Sequence, residues 1–151
     1  MPDTILVMIV AALPGAYLWD SHNASVPNQD DLVVFDGIVP PTPPRRYVAV
    51  YIDDGTRDDA ESVAHQSTSV THRWQTTCVA PDRQMAGWLA GRVKDALVDA
   101  RPVAAGWSPG LIEHTFSQLP RPDELVLERP TVFAVDQFRL LAERIAEPAE
   151  S

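Results

Sequence analysis

The chain has 151 residues, a length that fits one domain able to bury roughly two-thirds of the surface its unfolded form exposes. Its net charge of −9, from 21 acidic against 12 basic residues, excludes tight binding through counterion release on a phosphate backbone and matches anionic membrane surfaces poorly. The single cysteine, Cys78, excludes an internal disulfide and any multi-cysteine metal site.

Residues Ile5 to Leu13 form an uncharged apolar run stopped by Pro14-Gly15. Nine residues are too few to span a bilayer, which takes about 20. A secretory signal would carry a basic segment before the run, and only Asp3 precedes it. The run is expected to be a buried N-terminal helix starting at Asp3 or Thr4, with a short strand as the alternative because Ile and Val are dense. Tyr17 to Asp31 is polar and turn-rich and reads as loop. It contains Asn23-Ala24-Ser25, a glycosylation acceptor by its letters, in a chain that nothing marks as secreted. Leu32 to Val39 reads as a strand bulged at Gly37.

The PPTPP segment, Pro40 to Pro44, must be extended and carries the chain to a strand at Arg46 to Ile52. That strand is apolar on both sides, with Tyr47, Ala49 and Tyr51 on one and Val48, Val50 and Ile52 on the other. Such a strand lies under a helix on one face and under something else, such as a neighbouring subunit, on the other. Asp53 to Ser67 is a long acidic loop. Its carboxylates, Asp53, Asp54, Asp58, Asp59 and Glu61, lack the alternate spacing of a calcium loop. It reads as a solvated loop whose length points to a role.

From Ser69 to Val79 the residues alternate, with Val70, His72, Trp74, Thr76 and Cys78 on one side, which is the period of a half-buried strand. Cys78 is thus expected to be a buried structural thiol. Pro81 suits the first turn of a helix, and Met85, Leu89, Val93, Ala96, Leu97 and Ala100 form its apolar stripe. Gly87 and Gly91 fall with Val98 nearly opposite that stripe. Two readings stand for this face: a tolerant solvent surface, or a docking groove for another subunit. A loop to Gly110, a strand Leu111 to Leu119, a turn Pro120 to Pro130 and a strand Thr131 to Leu141 follow, with a fraying tail from 142. The expected fold is α+β in a single domain, 1–151. A mostly antiparallel sheet of four to five strands carries two helices on one face.

Catalytic patterns are weak. Gly106-Trp107-Ser108-Pro109-Gly110 spells a nucleophile elbow, but Pro109 has no N–H for an oxyanion hole, and a strand follows instead of a helix. His72 and His114 lie on strands the order allows to be neighbours, yet no carboxylate or thiol stands beside them at ligand spacing. Asp53 and Asp54 lack a partner that would keep one carboxyl protonated. No cofactor or metal is expected.

The apolar first helix, RYVAVYIDDGTR, then HRWQTTCVAPDRQMAGWLAGRVKDALVDARP and a closing FAVDQFRLL resemble the tail terminator proteins of long-tailed phages, particularly those of actinobacteria. The resemblance runs from about Ile5 to Leu141 and is most specific from Trp74 to Pro102. It implies a lambda-type α+β fold that closes into a ring of six copies. Such a ring caps the tail tube, ends its growth and meets the head connector, at the head-proximal end of the virion tail after assembly in the host cytoplasm. It also implies no catalytic residues, and a channel through which DNA passes without adhering, as an acidic lining favours. Expected contact residues for subunits or partners are Tyr47, Tyr51, Asp53, Asp54, Arg57, Asp58, Asp59, Gly87, Gly91 and Val98. The competing readings are a head–tail adaptor or other tail-completion protein, and a small enzyme or ligand-binding domain using His72, His114 and the acidic loop.

Overall fold

The computed structural model describes residues 2–19, 26–53, 56–57, 69–126 and 128–145. In chain order the elements are α1 (Pro2–Ala12), β1 (Tyr17–Trp19), β2 (Leu32–Asp36), β3 (Arg46–Ile52), β4 (Thr56–Arg57), β5 (Ser69–Ala80), α2 (Arg83–Leu97), β6 (Trp107–Pro109), β7 (Glu113–Pro122) and β8 (Val132–Arg144). Among the described residues one sheet holds eight strands in the order β1-β2-β3-β5-β8-β6, with β4 also on β5 and β7 also on β8. The α+β class holds. Five of the seven pairings are antiparallel, while β1–β2 and β2–β3 are parallel, so the sheet is mixed and larger than the four to five strands expected.

The parallel β2–β3 pair depends on the proline segment. Gly37 (φ 72°) leaves β2 in a left-handed turn open to glycine at little cost, and its N–H donates to the Val50 carbonyl at 2.9 Å. The Pro40–Pro44 stretch, bent at Pro41 and Thr42, then runs the chain back to the start of β3. A parallel connection is usually a helix; here a proline-rich loop does the crossing.

Helix α2 begins at Asp82, whose carboxylate accepts the Met85 N–H at 2.8 Å. Pro81 therefore precedes the cap and lies outside the first turn. Ala86, Leu89, Ala90, Val93 and Leu97 are buried. They meet Ile5, Leu6, Ile9 and Leu13 of α1, with Val48, Val50, Trp74, Cys78 and Phe138 of the sheet, in one core. Trp74 and Phe138 stack at its centre with ring centroids 5.7 Å apart. The Arg92 guanidinium donates to the Ala12 carbonyl at 3.1 Å, tying α2 to the C-terminal end of α1.

Other stretches also differ from expectation. β2 stops at Asp36, so Gly37 ends the strand instead of bulging it, and the loops expected at 53–67 and 103–110 contain the short strands β4 and β6. Part of the 17–31 loop is β1. The strand expected at Leu111–Leu119 is β7, which starts later and runs through Pro120 to Pro122; a register shift between Gln118 and Arg121 accommodates the proline on this edge strand. The expected tail from 142 continues β8 to Arg144, because β6 pairs there: Trp107 faces Arg144 and Pro109 faces Ala142.

Candidate functional site

The two faces of the sheet are unlike. The helix-side face carries the core. Across the open face the register aligns Val33, Tyr47, Val79 and Phe133 in one row, then Phe35, Ala49, Thr77 and Val135, then Tyr51, Gln75, Gln137 and Phe116. The first two rows are covered by the chain itself. Phe35 is fully buried, with Trp19 and Tyr47 packed edge-on at 5.6 and 5.5 Å. Arg129 bridges the two covering segments: its guanidinium donates to Gln29 Oε1 at 2.7 Å and to the Pro43 carbonyl at 3.0 Å. The 123–131 turn and the proline segment thus roof a groove of about 780 Å³ over Tyr47, Val79 and Phe133. Burial holds the Tyr47 phenol above its ordinary pKa.

Past this roof the face is open. Tyr51, Phe116 and Leu141 are 44%, 49% and 50% exposed, and Gln137 donates to Gln75 at 3.3 Å between the first two. One row further, Arg73 stands directly opposite Arg139, which is ion-paired with Glu113 on β7. Like charges directly opposite on a sheet repel. With Tyr51 and Asp53 these arginines border a hollow of about 420 Å³. Aromatic rings beside arginines on an uncovered sheet are the composition of an interface core.

The expected contact residues separate. Tyr47 and Tyr51 share the open face, the first under the roof and the second beyond it. The far side of β3 is thus partly explained within the chain. Asp53 ends β3, where its N–H donates to the Arg73 carbonyl at 2.9 Å. Arg57 lies in β4 opposite Val70; Asp54, Asp58 and Asp59 lie outside the described residues, as do most of the acidic loop and Asn23-Ala24-Ser25. A Cβ on Gly87 would meet Pro120 Cγ of β7 at 3.9 Å, whereas one on Gly91 would meet nothing within 4 Å. Gly87 therefore faces the chain's own edge strand, and Val98 packs partly on the core, which accounts for its aliphatic side chain.

The catalytic patterns do not assemble. β8 lies between β5 and β7, so His72 and His114 are not on neighbouring strands. His72 is buried edge-on to Trp107 at 5.4 Å, and lost hydration lowers its pKa. Ser108 is in β6, paired with Glu143, without a following helix. Cys78 is fully buried, which pushes its thiol far above the ordinary range. Among the described residues no three His, Cys, Asp or Glu side chains gather to hold a metal, and no helix is long and apolar enough to cross a membrane.

One polar cluster escapes sequence reasoning. Asp136, 1% exposed on the helix-side face of β8, accepts from His114 Nε2 at 2.8 Å, and Lys94 Nζ of α2 lies 3.9 Å away. Its signal was present: in TVFAVDQFRLL the aspartate holds an inward position between Ala134 and Phe138. The cluster ties α2, β7 and β8 together.

No family model matches the chain, and no curated protein matches it. Among solved structures it is similar to a chain of the virion of a native gene transfer agent particle. The TM-score is 0.52 at 19% identity, over 73% of this chain and 78% of the other. That likeness is one of fold.

Proposed function

We propose that this chain is a structural protein of a phage-like virion, and within that class a tail terminator. Identical copies close into a ring of six that caps the tail tube, ends its growth and joins it to the head connector. The observation that carries the reading is the shared fold with a chain of a virion particle. The open half of the sheet supports it: Tyr51, Phe116 and Leu141 are apolar surface of the kind that copies or partners cover. The net charge of −9 suits a channel that DNA traverses without adhering. The tail tube protein and the connector are its partners, and its work is shape, not catalysis.

Removing the gene from a producing phage tests this. Over-long tubes without heads are expected. Tubes of normal length that fail to join heads indicate a head–tail adaptor instead, and normal infectious particles overturn the virion role.

A further inference from the structure

Two surface features on opposite sides of the sheet complement each other. On the helix side, Trp88 is 43% exposed although it sits mid-helix in α2. Arg92 lies over its ring at 5.5 Å. Gln84, Met85, Arg46 and Asp82 complete a hollow of about 370 Å³ beside it. One turn on, Gly91 leaves the helix surface bare. An indole flanked by arginines, Arg46 in the hollow's wall and Arg92 over the ring, is the pairing that dominates binding energy at protein interfaces.

On the open-face side stands a knob. Leu125 is 92% exposed and Val126 36% exposed, between the carboxylates of Asp123, Glu124 and Glu128. This tip is a built turn: Asp123 accepts the Leu125 N–H at 3.1 Å through its side chain and the Val126 N–H at 3.3 Å through its carbonyl. Its own N–H donates to the Thr131 carbonyl at 2.8 Å. A preorganised turn that holds a leucine in solvent loses little entropy when it binds. The knob is acidic and apolar; the hollow is aromatic with the Arg46 and Arg92 guanidiniums beside the indole, and its one carboxylate, Asp82, accepts the Met85 N–H of its own helix.

We infer that the Leu125 knob of one copy seats in the Trp88 hollow of the next. Leu125 packs on the indole, and Glu124 meets Arg46 and Arg92. Because donor and acceptor surfaces differ, the contact is heterologous, the kind that closes rings. The inference rests on the reading that copies of this chain assemble with one another, and it names which surfaces meet.

The test uses the full chain with purified tail tubes, followed by sedimentation velocity. Trp88→Ala and Leu125→Asp alter exposed side chains, so circular dichroism and urea midpoints stay near wild type. Each variant alone is expected to lose ring formation, with association at least about 30-fold weaker, the effect of one hot spot. Mixing the two leaves one intact knob and one intact hollow, so dimers form and nothing larger. Variants that assemble like wild type, or a mixture that yields no dimer, overturn this pairing and leave the ring reading standing. A wild-type chain that stays monomeric with tubes overturns both.

Discussion

Asp136 makes a prediction whose sign depends on which partner is removed. Its side chain is 2% exposed, with Lys94 at 3.9 Å and His114 at 2.8 Å, themselves 35% and 26% exposed. At an effective dielectric of about 20 the Lys94–Asp136 attraction is about 4 kcal/mol before desolvation and screening. Burying the carboxylate offsets several kcal/mol of that. Asp136→Val therefore loses the attraction and the desolvation together, and leaves Lys94 and His114 both able to reach water. A change of about 1 kcal/mol is expected. Lys94→Met with His114→Leu instead strands the carboxylate, which costs about 3–5 kcal/mol, a large share of a typical total of about 5–15 kcal/mol. With a urea slope of about 2 kcal/mol per molar, the double variant's midpoint falls by about 2 M and that of Asp136→Val by about 0.5 M. If Asp136→Val is the worse of the two at pH 7, the cluster does not work as described.

Other predictions concern the core and its edges. Leu89→Ala empties a fully buried site in α2 and is expected to cost about 2–5 kcal/mol in urea unfolding. At Gly110 a Cβ would stand 3.0 Å from the Leu141 carbonyl that accepts the glycine's own N–H at 2.8 Å. Backbone cannot yield as a side-chain tip can, so Gly110→Ala is expected to lose about 1–3 kcal/mol and to speed amide exchange in β6. His72 titrates below its unfolded value of 6.5, so the unfolded chain takes up that proton first as pH falls. Its contribution is intact above about pH 6.5 and is lost on acidification, so His72→Gln flattens the stability profile between pH 7 and 5. Cys78 should resist thiol reagents in the folded protein and react at the rate of global unfolding.

The sheet's centre was legible because β3, β5 and α2 carry clean periods. The bounds of β3 follow from RYVAVYI, and the inward row His72, Trp74, Thr76 and Cys78 follows from alternation. Its edges were not. β1 has three residues, too few for a period. β7 passes through Pro120, which reads as a stop unless the strand is known to lie at an edge with a register shift. Glu143 and Arg144 read as tail because nothing local announces that β6 returns from 35 residues upstream to pair with them. Parallel pairing of β2 with β3 was hidden because no helix joins them. At the candidate site, Tyr51 was legible from its place in a doubly apolar strand. The Arg129 bridge was not, since Arg129 and Gln29 are 100 residues apart in sequence. The Leu125 knob looked like any charged turn until its backbone hydrogen bonds were seen.

If shape is this chain's task, its position in a finished particle decides the matter. An electron cryomicroscopy map of an intact virion should hold six copies of the fold around the tail axis, between tube and connector, with no open half-sheet left in solvent. Density for the tail junction that this chain does not fit, or the chain absent from purified particles, would contradict the account.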